Sequence, residues 1–157
     1  MLFSTFTLDK TMLFYKGGEF ISNQHWQHKK MFHQGDYEII ICIKGPIYLE
    51  IEQQQVILHA HDILVIPPFT HFGGFRKSDD PVDFYWFHFF SQFKEKIFTS
   101  TATELIDHMQ STKDTHQKIA LPQHFTLEND QQILILVHQM LSINNQLSYI
   151  DERDYLT

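Results

Sequence analysis

The 157-residue chain holds a single cysteine, Cys42, so no intrachain disulfide is open to it. A lone thiol in an isoleucine-rich run reads as a small core hydrophobe in a reducing cytoplasm. Cations are scarce: 12 Lys+Arg stand against 19 Asp+Glu, a formal net charge of −7 with histidine neutral. That balance excludes a broadly basic surface of the kind that grips nucleic acid or anionic membranes. No apolar run approaches the roughly 18 residues of a membrane span. The start, Met1 to Phe6, lacks the basic region of a signal peptide. Repeats and low-complexity segments are also missing. What the chain has in abundance is rings: 15 Phe, 6 Tyr, 2 Trp and 11 His. Such side chains line polar pockets and stack on ligands, and they equally fill a β-sandwich core. With 43% apolar and 20% charged residues, the composition is that of one globular domain large enough to fold without a staple.

The first 98 residues or so read as strands and turns. Phe20-Ile21 and Trp26 form a short first segment. Tyr37 to Ile43 is apolar except at Glu38, and Lys44-Gly45-Pro46 is a turn. Ile47 to Glu52 alternates towards its end as a half-buried strand does. Gln53-Gln54-Gln55 is a polar tip, Val56-Ile57-Leu58 returns, and Ile63-Leu64-Val65-Ile66 is a buried strand stopped by Pro67-Pro68. Phe69 to Phe75 reads as a loop. Phe84 to Phe89 is an aromatic strand on which Phe84, Trp86 and His88 share one face and Tyr85, Phe87 and Phe89 the other. Strands at this spacing indicate a sandwich or barrel.

Helical signals follow. Thr101 with Glu104 makes a capping box ahead of Leu105, Ile106 and Met109. Thr126 is positioned to cap a helix with Glu128 and Asp130 in its first turn, carrying Ile133, Leu136, Val137, Met140 and Leu141 on one stripe. Asn144-Asn145 is expected to break it. Ser148 and Asp151 form another capping box before Tyr149, Ile150, Tyr155 and Leu156. So short a final helix is marginal alone, which leads to the expectation that the natural chain continues past Thr157.

His33, Glu38 and Gly45, followed downstream by Asp62 to Pro68, resemble the paired motifs of the cupin barrel. More closely, Tyr37-Glu38-Ile39-Ile40, Lys44-Gly45, Asp62 to Pro68 and Phe84 to Phe89 recur in the order found in the N-terminal sensor domain of the arabinose-regulator (AraC) family of transcription factors. The resemblance spans roughly residues 20–90. It implies a mainly β fold with C-terminal helices: a cupin-like double-stranded β-helix, or jelly-roll barrel, followed by an antiparallel helical dimerisation segment. The divisions it implies are an arm over 1–19, a barrel over 20–122 with a short helix near 101–110, and a dimerisation segment over 123–157. The arm closes over ligand in that family, a role that Leu13-Phe14-Tyr15 would take, although another strand of the sandwich is an equal reading of the same residues.

A metal-binding cupin resembles His-x-His, then Glu, then a later His. Here Met31 stands at the first position and Phe72 at the last, with His71 one residue early and therefore on the opposite strand face. His33 and Glu38 alone do not hold a metal tightly, since such sites take about three protein ligands, so neither a metal nor a cofactor is assigned. The positions where the family has glycine hold His61 and Phe69, which implies some backbone strain. The expectation is a metal-free barrel binding a small polar effector, a carbohydrate above all, through Lys30, His33, Glu38, Phe72, Phe84, Trp86 and His88. An aromatic plane suits a sugar's C–H face, and imidazole and carboxylate suit its hydroxyls. His25 and His28 read as surface residues. No catalytic residue is assigned. The implied partners are a second copy, through Ile133, Leu136, Val137, Met140 and Leu141, and DNA only through a further C-terminal domain. The competing readings are a stand-alone cupin enzyme, an isomerase or oxygenase, and a non-catalytic storage cupin.

Overall fold

The computed structural model describes residues 2–7, 11–91, 97–101, 103–105, 107 and 118–154. Among them run β1 (Leu2–Thr7), β2 (Met12–Ile21), β3 (Met31–Phe32), β4 (Tyr37–Lys44), β5 (Ile47–Ile51), β6 (Gln54–Leu58), β7 (Asp62–Ile66), β8 (His71–Gly74), β9 (Asp83–Ser91), β10 (Ile97–Thr99), β11 (Lys118–Pro122), β12 (His124–Thr126) and one long helix, α1 (Gln131–Asp154). The pairings are antiparallel. A five-stranded sheet has the order β12-β7-β4-β9-β2, a four-stranded sheet β3-β8-β5-β6, and a small third sheet β10-β1-β11.

The fold is mainly β because the apolar residues repeat every second position, and the two large sheets need that period to share a core. Ile40, Cys42, Leu64, Ile66 and Phe84 of the five-stranded sheet meet Ile47, Leu49, Ile51, Leu58 and Phe72 of the four-stranded one, all buried. Phe20, Trp26, Met31, Val56 and Trp86 pack around that interior. The opposite face of the five-stranded sheet is apolar too. Tyr37, Ile41, Ile63, Val65, Tyr85 and Phe87 form a second core, closed by Phe6 of β1 and Val137 of α1. A sheet covered on both faces requires apolar side chains on both, which explains why 37–43 and 63–66 hardly alternate.

Several expectations change in three dimensions. The stretch read as a loop over 69–75 contains β8, held by pairing to β3 and β5. The hairpin tip lies at Glu52-Gln53, whose φ of 43° and 72° suit a two-residue primed turn, because Ile51 pairs with Gln54. His61 and Phe69, at the two family glycine positions, do adopt left-handed φ of 74° and 58°. Leu13, Phe14 and Tyr15 lie in β2, hydrogen-bonded along β9 and exposed by 40–58%, with Phe14 beside α1.

Thr126 does not cap the helix. Its hydroxyl donates to Asp62 at 2.6 Å, and the helical ladder begins instead with Leu134 N–H to Asp130 C=O at 2.9 Å. Nor does Asn144-Asn145 break the helix, which runs unbroken from Gln131 to Asp154, so the expected antiparallel pair is one continuous element. Interior asparagine lowers helix stability by only about 0.7 kcal/mol against alanine, and neither Gly nor Pro is present to stop the chain. The Thr101–Glu104 capping box forms reciprocally, at 3.0 and 3.2 Å. Ile106, Met109, Tyr155 and Leu156 lie outside the described residues.

Of the residues expected at a dimer contact, Val137 is 5% exposed, and Ile133, Met140 and Leu141 pack on the second core of the same chain. Leu136 turns outward at 64% exposure, with Ile135 and Ile143 also exposed.

Candidate functional site

One end of the apolar interior is polar. Register places Glu38 of β4 between Ile66 of β7 and His88 of β9. His33 follows β3 directly, and its backbone is pinned by the turn before β8: Phe69 N–H donates to its carbonyl at 2.8 Å, and its own N–H reaches Thr70 C=O at 3.4 Å. His33, Glu38 and His88 are each 3% exposed. One donor atom from each lies within 4.8 Å of the others. His33 Nε2 stands 3.0 Å from Glu38 Oε2, and His88 Nε2 stands 3.7 Å from Glu38 Oε1. The 3.0 Å approach is not a hydrogen bond: both His33 ring nitrogens and Glu38 Oε2 are buried without a hydrogen-bond partner. Burying such groups is costly unless something satisfies them.

Around the trio stand rings. Phe72 contacts His33 edge-on at 4.8 Å between centroids, and Trp86 contacts His88 edge-on at 5.5 Å. Trp86 is partly buried, and the close approach of β2 to its indole uses Gly18, where a Cβ would sit 3.1 Å from the ring. Segment 27–30 lies over β8 because Gly73 and Gly74 have no side chain: a Cβ on either would meet its backbone below 3.0 Å. This brings His28 to 5.1 Å from the Phe72 ring and 5.6 Å from Trp26. Burial holds the His28 pKa below its usual value, against the raising effect of a hydrogen bond to Lys29 C=O and of the nearby Glu38 charge.

Thus His33, Glu38, Phe72, Trp86 and His88 come together. Lys30 and Phe84 do not join them. Lys30 is exposed, and Phe84 packs with Phe20 and Trp26 at 5.1 and 5.6 Å, four residues along β9 from His88. His71 points outward, its side chain 75% exposed and near Glu52, as expected for the far face of a strand. Two neighbours went unread in the sequence. His28 follows Trp26 at strand spacing, which was a usable signal. Asp36 is the other: its Oδ2 takes a 2.5 Å hydrogen bond from His88 Nδ1 across 52 positions. Burial raises the Asp36 pKa, but the His88 bond, a backbone hydrogen bond and the His33 and His88 charges outweigh it, and the carboxyl stays below its usual value.

The reason for assigning no metal therefore fails at its premise. His33 and Glu38 are not two donors alone; β9 delivers a third. Two imidazoles and a carboxylate are a competent set for a divalent transition metal, and His33 Nε2 and Glu38 Oε2 are among the buried atoms without a hydrogen-bond partner.

Among curated proteins no sequence matches this chain. Similar solved structures include a predicted oxalate decarboxylase from Thermotoga maritima, at 13% identity over 49% of this chain and 67% of that one, TM-score 0.44. A protein from Photorhabdus luminescens is similar at 14% identity over 60% and 72% of the two chains, TM-score 0.42. A cupin protein from Bacteroides fragilis has 19% identity over 59% and 85%, TM-score 0.41. Among the described residues no helix is long and apolar enough to cross a membrane. Residues 14–88, which hold His33, Glu38 and His88, match the cupin domain family.

Proposed function

We propose that this cupin domain is the effector-sensing and dimerisation part of an AraC-type transcription regulator, and that its effector is a sugar or a similar small polar molecule. The observation that carries the reading is the buried polar trio with unpartnered donor and acceptor atoms at one end of an otherwise apolar barrel. A polyhydroxylated ligand would supply those partners, while Trp86 and Phe72 offer ring faces to its C–H groups. DNA reading is assigned to a C-terminal module outside these 157 residues. The outward Leu136 and Ile143, flanking a shallow apolar groove with Phe14 and Met140, are the surface we assign to the second copy.

The test is a thermal-shift screen against a carbohydrate panel. A ligand at about 100 times its Kd adds roughly 2.7 kcal/mol of stability. The shift is expected to vanish in Glu38→Gln and Trp86→Ala. No response to any member of the panel defeats the sugar reading. Light scattering tests the dimer: Leu136→Asp is expected to yield a folded monomer, and a wild-type chain that is monomeric at high concentration refutes the assigned surface. A second reading, a metal-dependent cupin enzyme, is favoured by the clustering of three donor atoms within 4.8 Å.

A further inference from the structure

We infer that Lys16 determines the specificity of the barrel and that the effector is a small hydroxylated carboxylate, a sugar acid, whose carboxylate lies at Lys16 and whose hydroxyls reach Glu38. The inference rests on the effector reading and narrows it from sugars in general to their acids.

Three observations carry it. The first is a cross-strand row. Lys16, Gly18 and Phe20 alternate on one face of β2, and Phe20 packs on the interior core, so that face is the inward one. Register sets Lys16 opposite His88, and His88 opposite Glu38. The polar end of the barrel thus continues from Glu38 through His88 to a cation on β2, the last strand of the five-stranded sheet. A bulge between Phe14 and Lys16 ends the alternation there and leaves Phe14 beside α1 instead.

The second is where the charge sits. Lys16 Nζ lies 5.9 Å from the centroid of Trp86, the ring that stands edge-on to His88, and 5.2 Å from that of Tyr15. Lys16 is exposed and, among the described residues, forms no ion pair, so its charge is available to an anion. The third is the charge pattern along the row. Asp36 is engaged by the His88 Nδ1–H at 2.5 Å, whereas Glu38 Oε2 has no hydrogen-bond partner. A ligand carboxylate is repelled at the Glu38 end and attracted at the Lys16 end, while a ligand hydroxyl donates a hydrogen bond to Glu38. The ligand therefore enters hydroxyls first, with its C–H groups on Trp86 and its carboxylate at the rim. The Cα atoms of Lys16 and Glu38 are two strand spacings apart, about 10 Å, which is the scale of a monosaccharide acid rather than of acetate. A single lysine matches a single negative charge. Phosphate groups favour the bidentate fork of arginine, and the barrel's one arginine, Arg76, is taken up by Asp79 and the Tyr48 ring.

The experiment is isothermal titration of the 157-residue chain at low ionic strength with matched ligands: glucuronate against glucose and galacturonate against galactose, with acetate and glucose 6-phosphate beside them. One of the acids is expected to bind about fivefold tighter than its parent sugar or better, the gain from one charge pair at contact distance in water. Its advantage is expected to shrink at high salt. Lys16→Met is expected to lower the affinity for the acid about fivefold and to leave that for the parent sugar unchanged, and Lys16→Arg to keep the preference. Lys44→Met, which removes an exposed cation six residues along β4 from Glu38, is expected to keep it as well. Circular dichroism of each variant separates loss of the site from loss of the fold. Neutral sugars that bind as tightly as their acids overturn the inference and leave the effector reading in place. So does an acid preference that survives Lys16→Met, or a Lys16→Met loss shared equally by acid and parent sugar. Acetate binding as tightly as the sugar acids, or glucose 6-phosphate binding more tightly than glucuronate, overturns the ligand class. A chain that binds no member of either series defeats the effector reading and the inference with it.

Discussion

Asp62 is the point where the barrel is tied to the segment leading into α1, and its replacement by asparagine has a calculable consequence. The residue is 4% exposed. Its carboxylate accepts the Thr126 hydroxyl at 2.6 Å and the His59 N–H at 2.8 Å, and stands 3.2 Å from His124 Nε2. Asp62→Asn keeps the shape but turns one acceptor oxygen into a donor, so either Thr126 or His59 faces an N–H₂ group. Hydrogen bonds to a charged group contribute about 1.5–3 kcal/mol each. Losing one and weakening the others is therefore expected to cost about 2–4 kcal/mol. For a chain of this length that lowers Tm by about 5–15 °C.

The effect carries a pH signature. Burial raises the Asp62 pKa, but the Thr126 and His59 hydrogen bonds and the adjacent His124 outweigh it and hold the carboxyl below its usual value. A depressed folded-state pKa gives stability that is fully present above the unfolded value of about 3.9 and is lost as pH falls through the folded value. The gap between wild type and variant is thus expected to be full at pH 7 and to shrink below about pH 4. Thermal melts followed by circular dichroism at both pH values measure it. A variant within about 0.5 kcal/mol of wild type at pH 7, or a gap that does not shrink in acid, refutes the reasoning.

Phe69 holds a left-handed φ of 58° at 68% exposure, so Phe69→Gly is expected to raise stability by about 0.5–1 kcal/mol, the αL relief exceeding the glycine entropy; a lower calorimetric Tm counts against this. Cys42 is fully buried, and burial with the Asp62 and Asp83 charges pushes its pKa up to about 12. A thiol reagent at pH 8 is expected to react only after denaturation, and rapid labelling of folded protein contradicts its placement. Val137→Asp puts a charge under α1 against the sheet and is expected to cost several kcal/mol, as uncompensated buried charge does. Leu136→Asp, one residue away on the exposed side, is expected to stay within about 0.5 kcal/mol in urea unfolding of the monomer. Equal penalties at the two positions would mean that the helix docks by another face.

Much of the barrel was readable in the chain. β4, β5, β7 and β9 fall within a residue or two of the runs that announce them, because their apolar content is local and their ends carry turn residues. β8 was not: His71-Phe72-Gly73-Gly74 has two glycines and no alternation, and it is a strand only because β3 and β5 pair with it. The helix start was misread because Thr126 had a stronger acceptor in Asp62, 64 positions away, than in the first turn of its own helix. The helix stripe was likewise readable as apolar, but not as apolar toward which partner, and most of it docks on the chain's own sheet.

The same division runs through the site. Sequence alone determined that Glu38 lies in the strand opened by Tyr37 and that Trp86 and His88 share a face, since those are matters of local apolar content and of the two-residue strand period. Only the tertiary structure decided that His88 stands beside Glu38, that Asp36 sits behind it, and that His28 folds over Phe72. Strand register is set by the summed packing of two whole cores across about 50 residues of chain, a non-local quantity that no short stretch of sequence contains.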